Sequence, residues 1–484
     1  MTPSLNLGAL MPLLPALIIA LGAVILVVAD ALVPKRNGIA LAGIAIAATF
    51  AAFIAQAIVF PREALSAFGG ALETDGFSAL VSLAVLLVLG LTLVLTPSYF
   101  AKMRAAGREH YALLLISALG MMLLPCAREL VSLVVCIELI SIPLYVLAGY
   151  NRSLVFSGEA ALKYFILGAF ASAFIVYGAA FIYGTTGTLY LRPIADTLPI
   201  SINKTLLLLG LGLLLVGFAF KTALVPFHAW LPDVYQGSPS PITGFMAAGV
   251  KLAVFAMFLR LLVVGFQPVD EHWRAALLVI SILTMTLGNL LALHQQSLKR
   301  LFAYSSIAHA GYLAVGLVAA NREAQAAMLF YLIAYSAAVI GVFALISAWS
   351  NEGRDDVYLD ELNGIAERHP LPALAMLLFV LSLIGFPLTA GFIGKLMLFS
   401  AAYSVGYIAL LIVALLNSAV SVYYYLKVAQ AMYLLPASES SDEKMMAGKP
   451  GLPYLSVALI CAAVVIILGI APQALLAILG TLAF

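Results

Sequence analysis

Five ionisable side chains lie inside long apolar runs of this sequence, where water cannot solvate a charge. Glu138 lies in LVVCIELISIPLYVL, and lysines interrupt three further runs at Lys221, Lys251 and Lys395. His309 lies in the run AYSSIAHAGYLAVG. A charge at the centre of a bilayer costs about 3 kcal/mol or more unless it meets a partner or water. Four such charges on separate runs indicate a functional site.

Proton transfer is the chemistry that these residue types favour. One glutamate cannot neutralise three lysines, so some of the lysines are expected to be neutral part of the time. A desolvated lysine can release and rebind a proton, and a histidine can relay one near neutral pH. The alternative is that these residues form buried ion pairs, or packing contacts for His309, that only hold helices together. We favour the proton path because intramembrane ionisable groups are functional by default.

The composition requires a membrane protein around these residues. The chain has 484 residues, of which 64% are hydrophobic and only 10% charged, whereas soluble domains carry roughly 25% charged residues. Its net charge of +2 and scattered basic residues give no sign of nucleic-acid binding. The three cysteines lie in apolar runs without CxxC spacing, which argues against a disulfide framework, a zinc site or an iron–sulfur site.

The apolar runs predict about fourteen transmembrane helices, so the expected fold class is an all-α polytopic membrane protein. Helices are expected because backbone polar groups in lipid must be satisfied internally, and the runs are too long for barrel strands. The predicted spans are 9–33, 38–60, 77–97, 110–127, 129–149, 159–184, 205–228, 240–265, 273–294, 301–320, 325–349, 370–401, 405–434 and 452–481. The first run is too long for a signal peptide and has no preceding basic residue, which favours a retained span.

Basic residues in the connecting loops predict the orientation in the membrane. One set of loops carries 12 of them: Lys35, Arg36, Lys102, Arg104, Arg108, Arg152, Lys299, Arg300, Arg354, Arg368, Lys444 and Lys449. The opposite set carries 6: Arg62, Arg128, Arg192, Lys204, Arg274 and Arg322. This bias places both termini outside the cytoplasm, as an even number of spans requires.

The other features of the spans are prolines and three further cations. Pro226 follows Lys221, and Pro387 precedes Lys395, so two predicted spans are expected to be interrupted. Interrupted helices beside charges are typical of ion sites in transporters, with a simple kink as the alternative. Lys163 and Arg260 lie near span ends and are expected to reach the interface. Lys427 has no predicted role.

The polar residues indicate an internal repeat. Lys221 and Lys395 are 174 residues apart, Lys251 and Lys427 are 176 apart, and Glu138 and His309 are 171 apart. Each pair falls on corresponding spans when helices four to eight are laid over nine to thirteen. Five helices is an odd number, so the second copy must run inverted. The predicted segments are 1–109 (three helices), 110–265 (first repeat, spans 4–8), 266–434 (second repeat, spans 9–13) and 435–484 (linker and last helix).

One loop offers a competing chemistry. Residues 351–370 carry six acids, and Asp355, Asp356 and Asp360 resemble a magnesium-binding motif of membrane enzymes that act on prenyl substrates. Such an enzyme needs a second acidic cluster at another helix end, which the sequence lacks. A solvated cytoplasmic loop is therefore the favoured interpretation.

Three segments resemble the antiporter-like subunits of respiratory complex I and their Mrp antiporter relatives. They are VGFAFKTALVPFHAWLPDVYQGSPSPITGFMAAGVKLAVFAMFLR (216–260), EAALKYFILGAFASAFIVYGAAFIYGTTGTL (159–189) and LKRLFAYSSIAHAGYLAVG (298–316). The resemblance covers essentially the whole chain. A lysine at Lys395 argues against the M-type paralogue, and the lack of sequence beyond span fourteen argues against the L type with its lateral helix, so the N type is closest.

The resemblance implies a proton-translocating subunit with fourteen helices, two inverted repeats, and broken helices 7 and 12. Glu138 matches the family's glutamate that pairs with a lysine matched by Lys221. Lys251 matches a lysine that leads through His309 to an exit residue at Lys395. The family implies no cofactor on this chain, with NADH, FMN, iron–sulfur clusters and quinone on partner subunits, which include neighbouring antiporter-like subunits. It also implies a bacterial inner (plasma) membrane location.

Two further alternatives stay open beside the prenyl enzyme. A sodium/proton antiporter subunit of the Mrp type would be distinguished by sodium transport. A purely structural membrane subunit would tolerate neutral substitutions at all four buried charges.

Overall fold

The computed structural model describes residues 11–32, 38–61, 63–104, 107–151, 155–200, 203–351, 353–436 and 451–482. Six of the loop cations used to predict orientation lie outside these residues: Lys35, Arg36, Arg62, Arg152, Lys444 and Lys449. The helices are α1 (Leu14–Leu32), α2 (Gly38–Ile58), α3 (Gly76–Lys102), α4 (His110–Leu123), α5 (Leu130–Ala148), α6 (Val155–Thr186), α7 (Leu191–Thr197), α8 (Lys204–Thr222), α9 (Trp230–Gly237), α10 (Ser240–Gly265), α11 (Asp270–Ala292), α12 (Leu298–Ala319), α13 (Arg322–Trp349), α14 (Ile365–Arg368), α15 (Pro370–Ile384), α16 (Ala390–Ser404), α17 (Ile408–Tyr433), α18 (Leu452–Ile470) and α19 (Gln473–Leu479).

The helices confirm an all-α polytopic membrane protein. In the described part of the chain, 12 helices are long and apolar enough to cross a membrane, and two shorter apolar helices span His110–Cys126 and Pro370–Ile384. The 14-span count stays a prediction. A small antiparallel hairpin, β1 (Leu65–Ala67) and β2 (Leu72–Thr74), pairs Leu65 with Thr74 and leads directly into α3.

The centre of the molecule is formed by α10, α12 and α13. In the most apolar stretch of each helix, 94% of the residues of α12 and 89% of those of α13 are buried, compared with 28% of the residues of α2. Close approach of α11 and α12 requires glycine, because a Cβ at Gly311 would lie 2.6 Å from the Met285 backbone nitrogen. The outer helices therefore surround a tightly packed core that carries His309.

Local sequence explains where several helices begin. The Asp75 carboxylate accepts from the backbone N–H of Ser78 at 2.9 Å, and the Ser78 hydroxyl oxygen accepts from the N–H of Asp75 at 2.9 Å. This capping box starts α3. The Asn321 side-chain oxygen accepts from the backbone N–H of Ala324 at 2.8 Å and starts α13 as a single N-cap bond.

Two helical paths are interrupted where the prolines predict a break. The first, α8, ends at Thr222 because Ala223 is left-handed (φ 58°), and α9 begins seven residues after Ala223 at Trp230. The second, α15, ends at Ile384 because Gly385 is left-handed (φ 89°), and α16 begins at Ala390. Glycine is the residue that adopts this conformation at least cost.

The first three long helices are tied to the rest of the chain. Lys102, the last residue of α3, donates to the carbonyls of Ser347 and Ala348 at 3.3 and 3.0 Å. These carbonyls belong to the last turn of α13, where they lack partners within their own helix. These bonds join α3 to α13, which lies in the central core.

Candidate functional site

Lys221 lies at the end of α8, immediately before the first break, and is 5% exposed. Its ammonium donates to the Ser141 hydroxyl at 2.8 Å and to the Tyr145 hydroxyl at 3.3 Å. Both residues lie on α5, three and seven residues after Glu138, so they share a helix with the predicted partner of Lys221. Among the described residues no ion pair within 4.0 Å joins Glu138 and Lys221, and the buried Glu138 Oε1 has no hydrogen-bond partner.

Lys251 lies in the middle of α10, directly after a π-helical turn at Met246–Val250. It is 2% exposed, and its ammonium donates to the backbone carbonyl of Ser306 on α12. The ring centre of Tyr335 on α13 lies 5.4 Å from the Lys251 Nζ, and the Tyr335 hydroxyl donates to Ser306 Oγ at 2.8 Å. The lysine is therefore held by a carbonyl and an aromatic face, without a carboxylate.

His309 joins two tyrosine hydroxyls in the core. Its Nδ1 lies 2.5 Å from the Tyr331 hydroxyl, and its Nε2 lies 3.0 Å from the Tyr425 hydroxyl. Tyr425 also hydrogen-bonds Ser305, one residue from the Ser306 that holds Lys251. These bonds connect α12, α13 and α17 through groups that both donate and accept protons.

Lys395 lies on α16, one helical turn beyond the second break. Its ammonium donates to the Ile384 carbonyl at 2.8 Å and to the Ser418 hydroxyl at 3.0 Å. The break frees that carbonyl, because the helix that would otherwise bond it stops at Ile384. The Lys395 Nζ also lies 4.7 Å from the ring centre of Tyr312, whose ring lies 5.7 Å from that of His309.

The structure brings Lys251, His309 and Lys395 around one cluster of tyrosines and serines. Lys221 and Glu138 lie to one side of this cluster, and among the described residues Lys221 and Lys251 share no hydrogen-bond partner. Sequence reasoning missed the intervening hydroxyl groups, which belong to Ser141, Tyr145, Ser305, Ser306, Tyr331, Tyr335, Ser418 and Tyr425. The available signal was helical spacing, because Ser141 and Tyr145 follow Glu138 at i+3 and i+7.

Two of the remaining intramembrane cations have structural partners. Lys163 forms ion pairs with Glu159 at 2.6 Å and Asp233 at 2.7 Å, at the half-exposed edge of the protein. Lys427 donates to the Leu293 carbonyl at 3.0 Å, just past the C-terminus of α11. These contacts stabilise a helix pair and a helix end respectively.

Arg260 does not reach the interface, and this expectation was wrong. It is fully buried and pairs with Asp75 at 2.6 Å, while Arg128 pairs with the same carboxylate at 2.9 Å. Burial alone would raise the pKa of Asp75, but Arg260, the Ser78 N–H and Arg128 outweigh it and lower the pKa below its usual value. The Asp75 carboxylate supplies the buried Arg260 guanidinium with an anion, and the same guanidinium also donates to the Pro125 carbonyl.

The acidic loop is not simply solvated, and that expectation was also wrong. Asp355 is 5% exposed and pairs with the fully buried Lys299 at 2.6 Å. Asp356 accepts from Ser297 at 2.6 Å and from Gln236 at 2.7 Å. Of the three aspartates in the predicted acidic motif, Asp355, Asp356 and Asp360, only Asp360 is exposed. In the described residues, no group of His, Cys, Asp and Glu is arranged to hold a metal ion.

The fold and the lysine-bearing core define a class of protein, the antiporter-like membrane subunits. The family profile described as NADH:quinone oxidoreductase/Mrp antiporter, transmembrane, matches residues 127–421. The chain is 42% identical over 441 residues to NADH-quinone oxidoreductase subunit N of Trichlorobacter lovleyi, covering 91% of this chain and 90% of that relative. It belongs to the NADH-quinone oxidoreductase subunit N family, which confirms the resemblance seen in the sequence.

Solved structures agree with this assignment. A chain of respiratory complex I from Thermus thermophilus with bound aureothin superposes with a TM-score of 0.82 and 38% identity, over 96% of this chain and 99% of that one. A chain of the Mrp complex from Dietzia sp. gives a TM-score of 0.85 at 22% identity, over 99% and 97%. The second likeness shows a shared fold only.

Proposed function

We propose that this chain is a proton-translocating membrane subunit of an NADH:quinone oxidoreductase. The observation that carries the proposal is the row of buried lysines, Lys221, Lys251 and Lys395, held by hydroxyls, carbonyls and aromatic faces. None of the three has a carboxylate within ion-pair distance in the described part of the chain. Such a site can change protonation state without leaving an opposite charge buried and unpaired.

The proposed mechanism is electrostatic. Quinone reduction in partner subunits changes a charge at the Glu138 end of the chain. Moving the Glu138 carboxylate away from Lys221 removes the anion that stabilises the Lys221 ammonium. The released proton then passes through Lys251 and His309 to Lys395. The unpartnered Glu138 Oε1 and the serine-bound Lys221 support this, because the two charges already lie on neighbouring helices without a closed pair.

The proposed architecture has fourteen spans. Twelve of the spans would be the long helices. The other two would be the short helix His110–Cys126 and a broken span made of Pro370–Ile384 together with α16. Residues 110–265 and 266–434 would form two inverted five-helix repeats, preceded by a three-helix segment at 1–109 and followed by a linker and last helix at 435–484. The corresponding breaks after Thr222 and Ile384, each with a lysine beside it, support the repeat.

The proposed location is the bacterial inner membrane, with both termini on the non-cytoplasmic side. The loop cations support this orientation, and the face that carries Lys102, Lys299 and Arg354 would be cytoplasmic. NADH, FMN, iron–sulfur clusters and quinone would belong to partner subunits, which include neighbouring antiporter-like chains.

Separation of gently solubilised membranes on a native gel tests the assignment. We expect this chain to migrate with a large complex that stains for NADH dehydrogenase activity. Migration with a few small membrane subunits, without redox activity, would contradict the assignment. In that case sodium-dependent transport would be the next measurement, because the Mrp type of antiporter shares the fold.

A further inference from the structure

Asn289 of α11 is a fully buried polar side chain that takes no part in the proposed proton path. Its side-chain nitrogen donates to the Met285 carbonyl at 2.9 Å, one turn earlier on the same helix, and to the Tyr312 hydroxyl at 3.2 Å. Its side-chain oxygen accepts from the Tyr424 hydroxyl at 3.0 Å. Both ends of the amide are therefore bonded, and the bonds join α11 to α12 and α17.

The partners of this amide fix its orientation. A backbone carbonyl oxygen can only accept a hydrogen bond, so the Asn289 atom beside the Met285 carbonyl must be the nitrogen. Turning the amide over would place two acceptors against each other and leave both unsatisfied. The Tyr312 hydroxyl consequently faces a donor, and this bond restricts where the Tyr312 ring can lie.

The same amide also reaches α17 beside Lys395. The Asn289 nitrogen lies 3.4 Å from the Asn417 side-chain oxygen, and the Asn417 nitrogen donates to the Thr286 hydroxyl of α11 at 3.2 Å. Two bonds between side chains thus tie α17 to α11 at this level. The next residue of α17 is Ser418, whose hydroxyl accepts from the Lys395 ammonium at 3.0 Å.

Lys395 therefore lies between two groups that are anchored to α11. The centre of the Tyr312 ring is 4.7 Å from the Lys395 Nζ, which is within the range where an aromatic face attracts a cation. On the other side the ammonium bonds Ser418 and the Ile384 carbonyl. In the described part of the chain no hydrogen bond joins Asn289 to Lys395, so Asn289 can act on the lysine only through other side chains.

We propose that Asn289 is a positioning residue for proton transfer at Lys395, because its amide holds the Tyr312 ring and, through Asn417, the Ser418 hydroxyl. The ring and the hydroxyl oxygen attract the lysine most strongly while it is charged. When the proton leaves, their bonds to α11 keep both groups in place for the next proton. This inference rests on the proposed function, because it needs Lys395 to exchange protons. Asn289 itself carries none, since an amide does not titrate near neutral pH.

The number of protons pumped per electron by the assembled complex in inverted membrane vesicles tests this role. Asn289→Leu nearly keeps the side-chain volume and removes both ends of the amide, so it should lower this ratio about tenfold by misplacing the groups that hold Lys395. Gln56→Leu is the matched control, because it removes a buried amide from α2, outside this cluster, and it should pump like the unsubstituted chain. Normal pumping by Asn289→Leu would overturn the inference.

Tyr312→Phe gives a result that a merely structural role of Asn289 would not produce. It keeps the ring and removes the hydroxyl that Asn289 holds, so it should also lower the ratio. Because both substitutions break the same bond, the double variant should pump no less than Asn289→Leu alone. Losses that multiply in the double variant would show that the two residues act independently and would overturn the positioning role.

A further variant applies if Asn289→Leu does not assemble. Tyr312→Phe combined with Asn417→Leu cuts both links to Lys395 and leaves Asn289 in place, so it should lose pumping as Asn289→Leu would. Normal pumping by this assembled double variant would overturn the inference.

Lys395→Met separates the inference from the proposed function. If Lys395→Met loses pumping while Asn289→Leu pumps normally, the positioning role is wrong and the proposed function stands. If Lys395→Met itself pumps normally, the proposed role of Lys395 fails and the positioning role fails with it.

Discussion

Five lysines of the described part of the chain differ in the chemistry of their partners. Lys163 and Lys299 each bond a carboxylate, at 2.7 and 2.6 Å. Lys221, Lys251 and Lys395 bond hydroxyls and carbonyls instead. A carboxylate stabilises the ammonium and keeps it charged, whereas neutral acceptors allow a lysine to lose its proton at lower cost. Neutral acceptors alone do not identify a proton-transfer lysine, because Lys102 and Lys427 also bond only carbonyls. Lys221, Lys251 and Lys395 combine neutral acceptors with an exposure of 5% or less.

Lys221→Ala should abolish coupled proton pumping while the complex still assembles, because it removes the ammonium that Ser141 and Tyr145 hold. Pumping is measured by quenching of a pH-sensitive dye in vesicles, and assembly on a native gel. Lys204→Ala is the control, since Lys204 is exposed at the other end of the same helix. An assembled Lys221→Ala complex that pumps normally would contradict the proposed mechanism.

Lys395→Met and Lys427→Met should differ sharply, although both remove a lysine from the second half of the chain. Lys395→Met should reduce pumping at least tenfold, because it removes the proposed exit residue beside the break. Lys427→Met should leave pumping within about twofold, since Lys427 bonds the Leu293 carbonyl near a helix end and lies over the Tyr423 ring, away from the proposed proton path. The same vesicle assay measures both, and equal losses would argue against the exit role of Lys395.

At the scale of elements, caps and ion pairs decide where helices start and stop. The Asp75 carboxylate caps α3 and also pairs with Arg260 of α10 and Arg128 before α5. Three helices thus depend on one side chain that follows the hairpin. A carboxylate has the same role at the other end of α10, where Asp355 accepts from the N–H and hydroxyl of Ser240 and fixes the start of the helix.

Asp75→Asn should destabilise the protein by about 3 kcal/mol, because it leaves the buried Arg260 without its anion. The pKa of Asp75 is lower in the folded chain than in the unfolded one. Its contribution is therefore present above about pH 4 and is lost as pH falls through the folded value. In Asp75→Asn the free energy of unfolding should lose the part that depends on ionisation of Asp75. Between pH 6 and 8 it should therefore be lower by the same amount at every pH.

The thermal midpoint in detergent, followed by a thiol-reactive fluorophore, measures this loss, since unfolding exposes Cys126, Cys136 and Cys461. Glu271→Gln is a suitable control, because Glu271 is an exposed acid in the first turn of another helix. An Asp75→Asn midpoint equal to that of the unsubstituted chain would show that the Arg260 pair contributes nothing.

At the scale of the whole molecule, the proposed count of fourteen spans and the loop cations together predict the orientation. Alkaline phosphatase fused after Phe484 should be active, because the C-terminus is predicted outside the cytoplasm. The same reporter fused after Leu435, before the last span, should be inactive. Activity at both sites, or at neither, would contradict a last span between them, and activity only after Leu435 would contradict the proposed orientation.

The sequence was informative where a residue type contrasted with its surroundings. Lys251 and His309 could be found because ionisable groups are rare in apolar runs, and Pro226 and Pro387 located the breaks for a similar reason. Tyr331 and Ser306 could not be found, since tyrosine and serine are common in membrane helices. Arg260 and Asp355 were misjudged because the sequence cannot show that another segment of the chain covers a helix end or a loop.

The contact between Lys102 and the end of α13 has a consequence for how the chain is made. The two partners are 245 and 246 residues apart in sequence. At about 5–20 residues per second, the ribosome needs roughly 12–50 s to synthesise the intervening chain. Throughout that time the Lys102 ammonium must stay hydrated at the membrane surface, so α3 can settle fully into place only after α13 has been inserted.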